Sequence, residues 1–459
     1  MIVLKRIMKY IWILCILLLA LQPVAGYAGA LEDYEEARTL YLAAVACTAA
    51  YSDRQGSIAR DALAQNGWKI QSYVEKSNQA DARFLVAKKL QPETAVPSYL
   101  LSVVGTENMK DVKVDLRVEK VYFAGKTPEE FLANAQRTDM PDTAPKVHKG
   151  FNQYVQTGLN KQVNRDGSNS EKSLLETLME DQNRKVYLVG HSLGGAGATI
   201  AGARLLEMGV QPEQVEVITF GAPAVGNKAF REKFEPFLHL TRIVTVGDPV
   251  TGALQKLVGG YEQFGREIRW QVPEEETKDP HQIVLYLDLA IKNYYQKRQQ
   301  AVVAGQLVIP DETLAGSGKP RVYIAPVLNH LPEELNTEFF YMKEALYDEY
   351  RNTLPGYVLD RGDKVRNVFA KAIAADCDWI IIPEIQAYRL KNEKDTSYIT
   401  LGQRVYQVRT GTLVSSSSYG SSTRNLTALE AFIHDTKETS ENSRDWLGDA
   451  ARHTNKAEL

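Results

Sequence analysis

The sequence predicts an α/β fold in which a mostly parallel central sheet is covered by helices and is followed by a smaller α/β domain. Strand-like and helix-like runs alternate between residues 31 and 300, as expected when crossover helices connect parallel strands. One strand-like run ends in the glycine-rich sequence Gly190-His-Ser-Leu-Gly, which suits a strand-to-helix turn. After residue 318 a second, shorter series of alternating runs begins. These observations favour two unlike domains in one chain.

The composition is that of a folded globular protein. The chain has 459 residues, of which 44% are hydrophobic and 24% are charged, and these fractions exclude wholesale disorder. The 54 basic and 57 acidic side chains leave a net charge of −3, so the sequence predicts no nucleic-acid partner. Three cysteines are too few for a disulfide scaffold. Whether Cys47 and Cys377 pair is left open.

The first thirty residues have the pattern of an export signal. Three basic residues precede an unbroken apolar run of 11 residues, Ile11–Leu21, and the small residues Ala28-Gly29-Ala30 follow it. The run is shorter than the ~20 residues that a membrane-spanning helix needs. We therefore predict a signal peptide over residues 1–30 and a mature protein that is secreted or periplasmic, with no transmembrane segment.

The first domain, residues 31–300, contains the elements of the central sheet. Helices are favoured where apolar residues recur every three or four positions, and strands where a short apolar run ends at turn residues. The predicted helices are Glu36–Ala50, Gly56–Asn66, Gly150–Val163 and Gly195–Met208, and the predicted strands are Ala82–Val86, Tyr99–Val104, Lys185–Gly190, Gln214–Thr219 and Thr241–Val246.

A short flexible sequence, Ala315-Gly-Ser-Gly, predicts a linker at residues 301–318. The small α/β domain follows at residues 319–424, and residues 425–459 are predicted to be a polar tail that is helical at first. Thr410-Gly411 predicts a hairpin turn between the last two strands of this domain. Its predicted helices are Pro332–Asn352 and Asp363–Ala375, and its predicted strands are Arg321–Val327, Trp379–Leu390, Tyr398–Val408 and Thr412–Ser418.

The chemistry is concentrated at Gly190-His-Ser-Leu-Gly194, which fits the nucleophile elbow G-x-S-x-G. In such an elbow the serine lies on a strained turn, and side chains two residues to either side would collide with it or with the neighbouring strand. Glycine removes these clashes and leaves the Ser192 hydroxyl exposed at the carboxyl edge of the sheet. The apolar run before Gly190 and the small residues from Gly195 to Ala198 supply the strand and the closely packed helix that the motif requires.

A serine nucleophile needs a base that a carboxylate orients, in the chain order Ser, Asp or Glu, His. Three histidines follow Ser192 at plausible distances, namely His239, His281 and His330. His239 comes before the best carboxylate and His330 lies beyond the linker, so His281 is the predicted base. Asp248 is the predicted acid because it directly follows an apolar strand, where this architecture places catalytic groups.

Ester hydrolysis also needs donors for the tetrahedral oxyanion. The backbone N–H of Leu193, the residue after the nucleophile, is the predicted first donor. A second donor is expected from the loop after an earlier strand, where Gly105 permits a sharp turn and Thr106 offers both an N–H and a hydroxyl. Spacing alone leaves open whether this loop is a donor or an ordinary strand-ending turn.

Four motifs follow one another along the first domain: Val147-His-Lys-Gly-Phe, Gly190-His-Ser-Leu-Gly-Gly-Ala, Thr219-Phe-Gly-Ala-Pro-Ala-Val-Gly and Gly247-Asp-Pro-Val. In this order they resemble the class 3 lipases, the fungal-lipase-like branch of the α/β-hydrolases, over roughly residues 35–295. The resemblance implies an α/β-hydrolase with Ser192 as nucleophile, Asp248 as acid and His281 as base. It also implies that Thr106 and Leu193 form the oxyanion hole.

The resemblance has further implications around the site. It implies that His148 packs near the site without acting as the base. Two positions depart from the family, since Val104 stands where an Arg is usual before the Gly-Thr and Gln263 stands where many members carry a His. The family often has an amphipathic lid. The segment Thr127–Ala135 is predicted to be a short helix with Pro128 in its first turn, and both a lid and a plain surface helix fit it.

Three segments of the second domain carry a less specific resemblance: Val322-Tyr-Ile-Ala-Pro-Val, Ala374-Ala-Asp-Cys-Asp-Trp-Ile-Ile-Ile-Pro and Arg404-Val-Tyr-Gln-Val-Arg-Thr-Gly. They resemble the small domain of envelope proteins of the TolB amino-terminal and curli-secretion-lipoprotein kind. This implies a binding role with an envelope protein as partner, and an inert structural domain is the alternative. The domain has no nucleophile, metal-ligand spacing or phosphate loop, and we expect no cofactor and no metal.

Together these patterns predict a secreted serine carboxylester hydrolase that cleaves acyl esters of lipids through an acyl-enzyme. Its expected substrate is a lipid ester, met at a lipid–water interface. The alternative is an envelope scaffold or binding protein with an inactive hydrolase half. The complete set of Ser192, Asp248 and His281 favours the enzyme, because a hydrolase half without activity is expected to lose one of them.

Overall fold

The computed structural model describes residues 29–51, 54–76, 81–90, 96–105, 119–156, 173–252, 254–255, 259–274, 276, 278–390, 393 and 396–440. The predicted signal peptide lies outside these ranges except for its last two residues. Within them, no helix combines the length and the apolar character needed to cross a membrane.

A seven-stranded sheet forms the centre of the first domain. Its strands are β1 Lys69–Lys76, β2 Asp81–Leu90, β3 Pro97–Val103, β6 Lys185–His191, β7 Val215–Phe220, β8 His239–Thr245 and β9 Arg266–Trp270, and a separate pair is β4 Lys120–Tyr122 and β5 Lys146–His148. The order is β1-β2-β3-β6-β7-β8-β9, antiparallel from β1 to β3 and parallel from β3 to β9. The predicted α/β fold with a mostly parallel central sheet is confirmed.

Helices cover both faces of this sheet. They are α1 Ala30–Ala49, α2 Arg54–Gln65, α3 Pro128–Ala135, α4 Lys149–Gln156, α5 Leu174–Glu180, α6 Leu193–Glu207, α7 Lys228–Phe234 and α8 Ile283–Val303. On β6 the neighbours Leu188 and Val189 point to opposite faces and are both fully buried. Val189 packs in the core under α1 and α8, and Leu188 in the core under α4 and α6. Burial on both faces explains why the central strands are continuous apolar runs rather than alternating ones.

The second domain is the predicted smaller α/β unit. Its strands are β10 Glu312–Thr313, β11 Val322–Ile324, β12 Leu328–His330, β13 Tyr357–Leu359, β14 Trp379–Arg389, β15 Ser397–Gln407 and β16 Leu413–Ser422, and its helices are α9 Phe339–Thr353 and α10 Val368–Ala374. The order is β10-β13-β11-β14-β15-β16, with β12 also paired to β14. The three long strands β14, β15 and β16 are antiparallel neighbours. Gly411 has a φ of +70° in the turn between β15 and β16, a conformation that glycine adopts without strain.

Several segments of the second half differ from their predicted form. The predicted helix Pro332–Asn352 is a 3-10 helix over Glu333–Glu338 that continues as α9, since Asn and Thr near the junction are weak helix formers. Strand β10 lies inside the predicted linker. In the predicted polar tail, residues 428–440 form the expected helix, but it buries Leu429 and Phe432 completely. Polar side chains such as Asp435 and Thr439 are buried with them, so the overall polarity of the segment conceals its burial.

One apolar core runs through both domains. It joins Tyr295 of α8, Met342 of α9, Leu401 of β15 and Phe432 into a single cluster. Cys47 belongs to the same cluster, and both it and Cys377 are buried free thiols. The second half therefore packs directly against the helix that follows His281.

Candidate active site

The turn that carries Ser192 joins β6 to α6 and is strained. Ser192 has a φ of 57° and a ψ of −126°, a conformation that non-glycine residues adopt rarely. A Cβ on Gly190 would lie 2.2 Å from the backbone of Gly194, and one on Gly194 would lie 2.1 Å from the carbonyl oxygen of Val103. Because both neighbours are backbone atoms, only glycine fits at these two positions. The strain is thus held by close contact of β3, β6 and α6.

We expect Gly194→Ala to lower the free energy of unfolding by about 1–3 kcal/mol, the usual effect of overpacking. The new methyl group must push against the carbonyl of Val103. Urea midpoints of the two proteins measure the change. Gly316→Ala is the matched control, since the nearest atom to its added Cβ is a lysine side-chain carbon at 3.9 Å. Equal midpoints for all three proteins would contradict the tight fit.

The structure brings the side chains of Ser192, Asp248 and His281 together. His281 Nε2 lies 2.8 Å from Ser192 Oγ, and His281 Nδ1 lies 2.9 Å from each carboxylate oxygen of Asp248. Ser192 follows β6, Asp248 follows β8, and His281 precedes α8. The carboxylate can only accept at neutral pH, so Nδ1 carries the proton and Nε2 accepts from the serine hydroxyl. All three side chains are buried.

Two further groups hold the Asp248 carboxylate. The backbone N–H of Val250 donates to Oδ1 at 2.8 Å, and the hydroxyl of Tyr286 donates to Oδ2 at 2.7 Å. Burial, and after it the negative charge of Asp248, raises the pKa of Tyr286, so this hydroxyl stays protonated and remains a donor. The backbone N–H of Thr245 donates in turn to the Tyr286 oxygen at 3.1 Å. No sequence pattern marks Tyr286, which lies 38 residues from Asp248.

His191 holds the backbone of His281 from the other side. Its Nε2 donates to the carbonyl oxygen of His281 at 2.7 Å, and its Nδ1 lies 3.4 Å from the hydroxyl of Tyr51. Burial and the neighbouring His281 ring lower the pKa of His191 to about 3. His191 is therefore neutral, with its proton on Nε2. Sequence reasoning assigned no role to this histidine, although the elbow motif contains it.

The two predicted oxyanion residues differ in what the structure shows. Leu193 is the first residue of α6, where backbone N–H groups have no acceptor within the helix. Thr106 lies outside the described residues. Its neighbour Gly105 packs against the elbow, since a Cβ there would lie 2.7 Å from the carbonyl oxygen of His191. The end of this loop at Gly105 is thus in direct contact with the turn that carries Ser192.

Residues 100–256 match the family Lipase (class 3). The chain is thus similar to the class 3 lipases over this range. Toxin TseL of Vibrio cholerae is 35% identical over 98 residues, 21% of this chain and 13% of the toxin. Phospholipase A1 EG1 of Oryza sativa subsp. indica is 32% identical over 147 residues, 27% of this chain and 33% of that protein. The matches thus span a third or less of these two curated relatives.

Among solved structures, the triacylglyceride lipase of Rhizomucor miehei is similar with a TM-score of 0.37 and 20% identity, over 51% of this chain and 80% of that one. The family match over residues 100–256 confirms the predicted resemblance to class 3 lipases for that range. The matched range contains Ser192 and Asp248, whereas His281 lies beyond it.

The two residues that depart from the family pattern, Val104 and Gln263, both make defined hydrogen bonds. The carbonyl oxygen of Val104 accepts a hydrogen bond from the Tyr154 hydroxyl at 2.8 Å, which anchors the loop before Gly105. Gln263 Nε2 donates to the carbonyl oxygens of Ala222 and Thr251, each at 3.1 Å. Thr251 lies three residues after Asp248, so Gln263 connects the loop that carries Asp248 to the loop after β7.

The other candidate histidines have different surroundings. His239 is exposed at the start of β8, the end of the strand opposite to Asp248, and His330 is exposed in β12. His148 is buried, stacks on the ring of Phe151 at 4.0 Å and accepts from its backbone N–H at 3.3 Å. No group of three or more His, Cys, Asp or Glu side chains among the described residues is arranged to hold a metal ion.

Helix α3, the possible lid, is anchored far from Ser192. Phe131 is 1% exposed and packs on Phe123, with the guanidinium of Arg204 4.6 Å from its ring centroid. Lys126 Nζ, just before α3, donates to the carbonyl oxygen of Glu207 at 2.8 Å. Glu207 ends α6, roughly 20 Å along the helix from the elbow at 1.5 Å per residue. These contacts favour a surface helix over a lid.

The buried His148 makes stability depend on pH. An unfolded histidine binds a proton below about pH 6.5, whereas burial, assisted by the charge of Lys120, lowers the pKa of His148 to about 4. Between these values the unfolded chain binds more protons. The free energy of unfolding therefore falls as the pH falls from about 6.5 to 4, by up to about 1.4 kcal/mol per pH unit for this residue.

We expect His148→Asn to remove this contribution, because asparagine keeps an acceptor for the Phe151 N–H but does not titrate. Urea midpoints at pH 7 and pH 5 should differ less in the variant than in the wild type. If the urea midpoints at pH 7 and pH 5 differ equally in both proteins, the pKa of His148 is not lowered in the folded state.

Proposed function

We propose that this protein is a serine carboxylester hydrolase that cleaves acyl esters of lipids through an acyl-enzyme. The observation that carries the proposal is the continuous contact from Asp248 through His281 to Ser192, placed at a strained elbow. The match of residues 100–256 to class 3 lipases supports the same reaction.

In the proposed reaction, Ser192 Oγ attacks the ester carbonyl carbon while His281 Nε2 takes the hydroxyl proton. Asp248 keeps the imidazole oriented and stabilises the imidazolium that forms. The N–H of Leu193 and, as we propose, Thr106 bind the oxyanion. Collapse of the tetrahedral intermediate breaks the bond to the alcohol, which leaves with the proton from His281. Water, deprotonated by the same histidine, then hydrolyses the acyl-enzyme and releases the carboxylic acid.

The substrate class follows from the family rather than from the geometry. The relatives include proteins named as a lipase and as a phospholipase A1. We therefore propose a lipid ester substrate, met at a lipid–water interface, with triacylglycerol and phospholipid as the classes to compare. The decisive assay uses purified chain without residues 1–30 and p-nitrophenyl esters of graded acyl length. We expect hydrolysis, with the folded Ser192→Ala protein as the blank. If the folded protein cleaves none of these esters and hydrolyses no lipid in vesicles or emulsions, the proposal is wrong. The alternative of a scaffold with an inactive hydrolase half would then remain.

We further propose that the protein is exported, on the basis of the leader pattern in residues 1–30. Expression of the full chain with a carboxyl-terminal tag, followed by cell fractionation, tests this. Export and amino-terminal sequencing that starts near Leu31 would support the proposal. Retention in the cytoplasm at full length would contradict it. An envelope protein partner for the second domain is proposed on its resemblance alone.

A further inference from the structure

The second domain reaches the segment that carries His281 through Lys278. Lys278 Nζ donates to the carbonyl oxygens of Thr423, at 2.7 Å, and of Arg424, at 3.0 Å. Lys278 lies three positions before His281, so the Cα atoms of the two residues lie within about 11 Å of each other. These two carbonyls belong to the turn that follows β16.

The carbonyl acceptors are themselves held in place. The backbone N–H of Thr423 donates to the carbonyl oxygen of Ser397 at 2.9 Å, and the backbone N–H of Ser397 donates to Thr423 Oγ1 at 2.9 Å. Ser397 begins β15, so the turn is fixed to the sheet of the second domain. A lysine bound to such acceptors transmits the position of that sheet to its own segment.

The other contacts of this segment come from the first domain. Thr245 Oγ1 donates to the carbonyl oxygen of Pro280 at 2.5 Å, and His191 Nε2 donates to that of His281 at 2.7 Å. The segment 278–281 is therefore held at its end by the central sheet and at its beginning by the second domain.

Buried polar contacts hold α8, the helix that follows His281, in the same way. Thr427 Oγ1 donates to Asp288 Oδ1 at 2.7 Å, and Lys292 Nζ lies 2.8 Å from both Asp288 and Glu338. The two carboxylates raise the pKa of Lys292 despite its burial, so the lysine is charged. Glu338 and Thr427 both lie beyond the first domain, which places α8 between the two halves.

We propose that the second domain positions the catalytic histidine, with Lys278 as the positioning residue that links them. The inference rests on the proposed function, because it assigns His281 the role of base. Its physical basis is that loss of alignment by about 1 Å can reduce a rate by about 100-fold. The domain is then a working part of the hydrolase.

The test compares three variants of the full mature chain. Lys278→Met removes the donors and keeps the apolar stem, and Lys278→Arg keeps a charged donor. Lys126→Met is the matched control, since Lys126 also donates to a backbone carbonyl, that of Glu207, at the far end of α6. The measured quantities are kcat and KM for a short soluble p-nitrophenyl ester, together with urea midpoints.

We expect Lys278→Met to reduce kcat by about 10- to 100-fold with KM within about two-fold. Lys278→Arg should recover most of kcat, and Lys126→Met should leave both constants unchanged. An unchanged kcat in Lys278→Met would overturn the proposal. So would a rise in KM alone, which would make Lys278 a substrate contact, or an equal loss in the folded Lys126→Met protein. A wild-type protein without any hydrolysis would instead refute the proposed function, so the two failures are distinguishable.

Discussion

Ser192→Ala is expected to abolish ester hydrolysis and to leave the fold intact. Without Oγ no acyl-enzyme can form, and loss of a triad nucleophile typically reduces kcat by ~10⁴- to 10⁶-fold. Alanine and serine both carry a Cβ and meet the same strain at the φ of 57° that this turn requires, so the backbone strain is unchanged. The glycines on either side still permit the close contacts of the turn.

The measurement pairs kinetics with labelling. A fluorophosphonate should modify the wild-type protein at Ser192, as located by peptide mass spectrometry, and should leave the Ser192→Ala protein unmodified. Urea midpoints that agree between the two proteins show that the loss is chemical. If the alanine variant keeps more than about a thousandth of wild-type kcat, another residue supplies the nucleophile.

The features that the sequence predicted well are those whose physical cause is local. Contacts within one turn and its adjacent strand require glycine at positions 190 and 194. The motif can therefore be recognised from the sequence. Strands of the parallel sheet can be predicted from the sequence because burial on both faces produces continuous apolar runs, as in β6. The order of Ser192, Asp248 and His281 could be reasoned from chain position alone.

What the sequence could not show depends on pairs that only the folded chain brings together. Tyr286 reaches Asp248 across 38 residues, and His191 reaches the carbonyl of His281 across 90. Neither residue type is unusual at its position, so no pattern marks it. The helix at residues 428–440 was expected but its burial was not, since Phe432 is covered only where α8 and α9 provide a surface. Lys278 is another such case.

His281→Ala is expected to be as damaging as Ser192→Ala, because Nε2 is the group 2.8 Å from the serine hydroxyl. Asp248→Asn should reduce kcat somewhat less, by about 10⁴-fold, the loss known for this change in the serine-protease template. The geometry explains why. Each carboxylate oxygen faces a fixed donor besides His281, namely the Val250 N–H at Oδ1 and the Tyr286 hydroxyl at Oδ2. In the asparagine variant the side-chain NH₂ faces one of these donors in either orientation of the amide. It also forces the wrong imidazole tautomer of His281.

The double variant Ser192→Ala/His281→Ala should be no slower than either single variant, because the two residues act as one unit. His239→Ala and His330→Ala serve as controls, since both histidines are exposed. Initial rates on a short soluble ester measure the chemical step for all five proteins. If His330→Ala or His239→Ala abolishes turnover while His281→Ala is mild, the assignment of the base is wrong. The role of Asp248 would then need reassignment as well, because the histidine nitrogen that its carboxylate contacts is Nδ1 of His281.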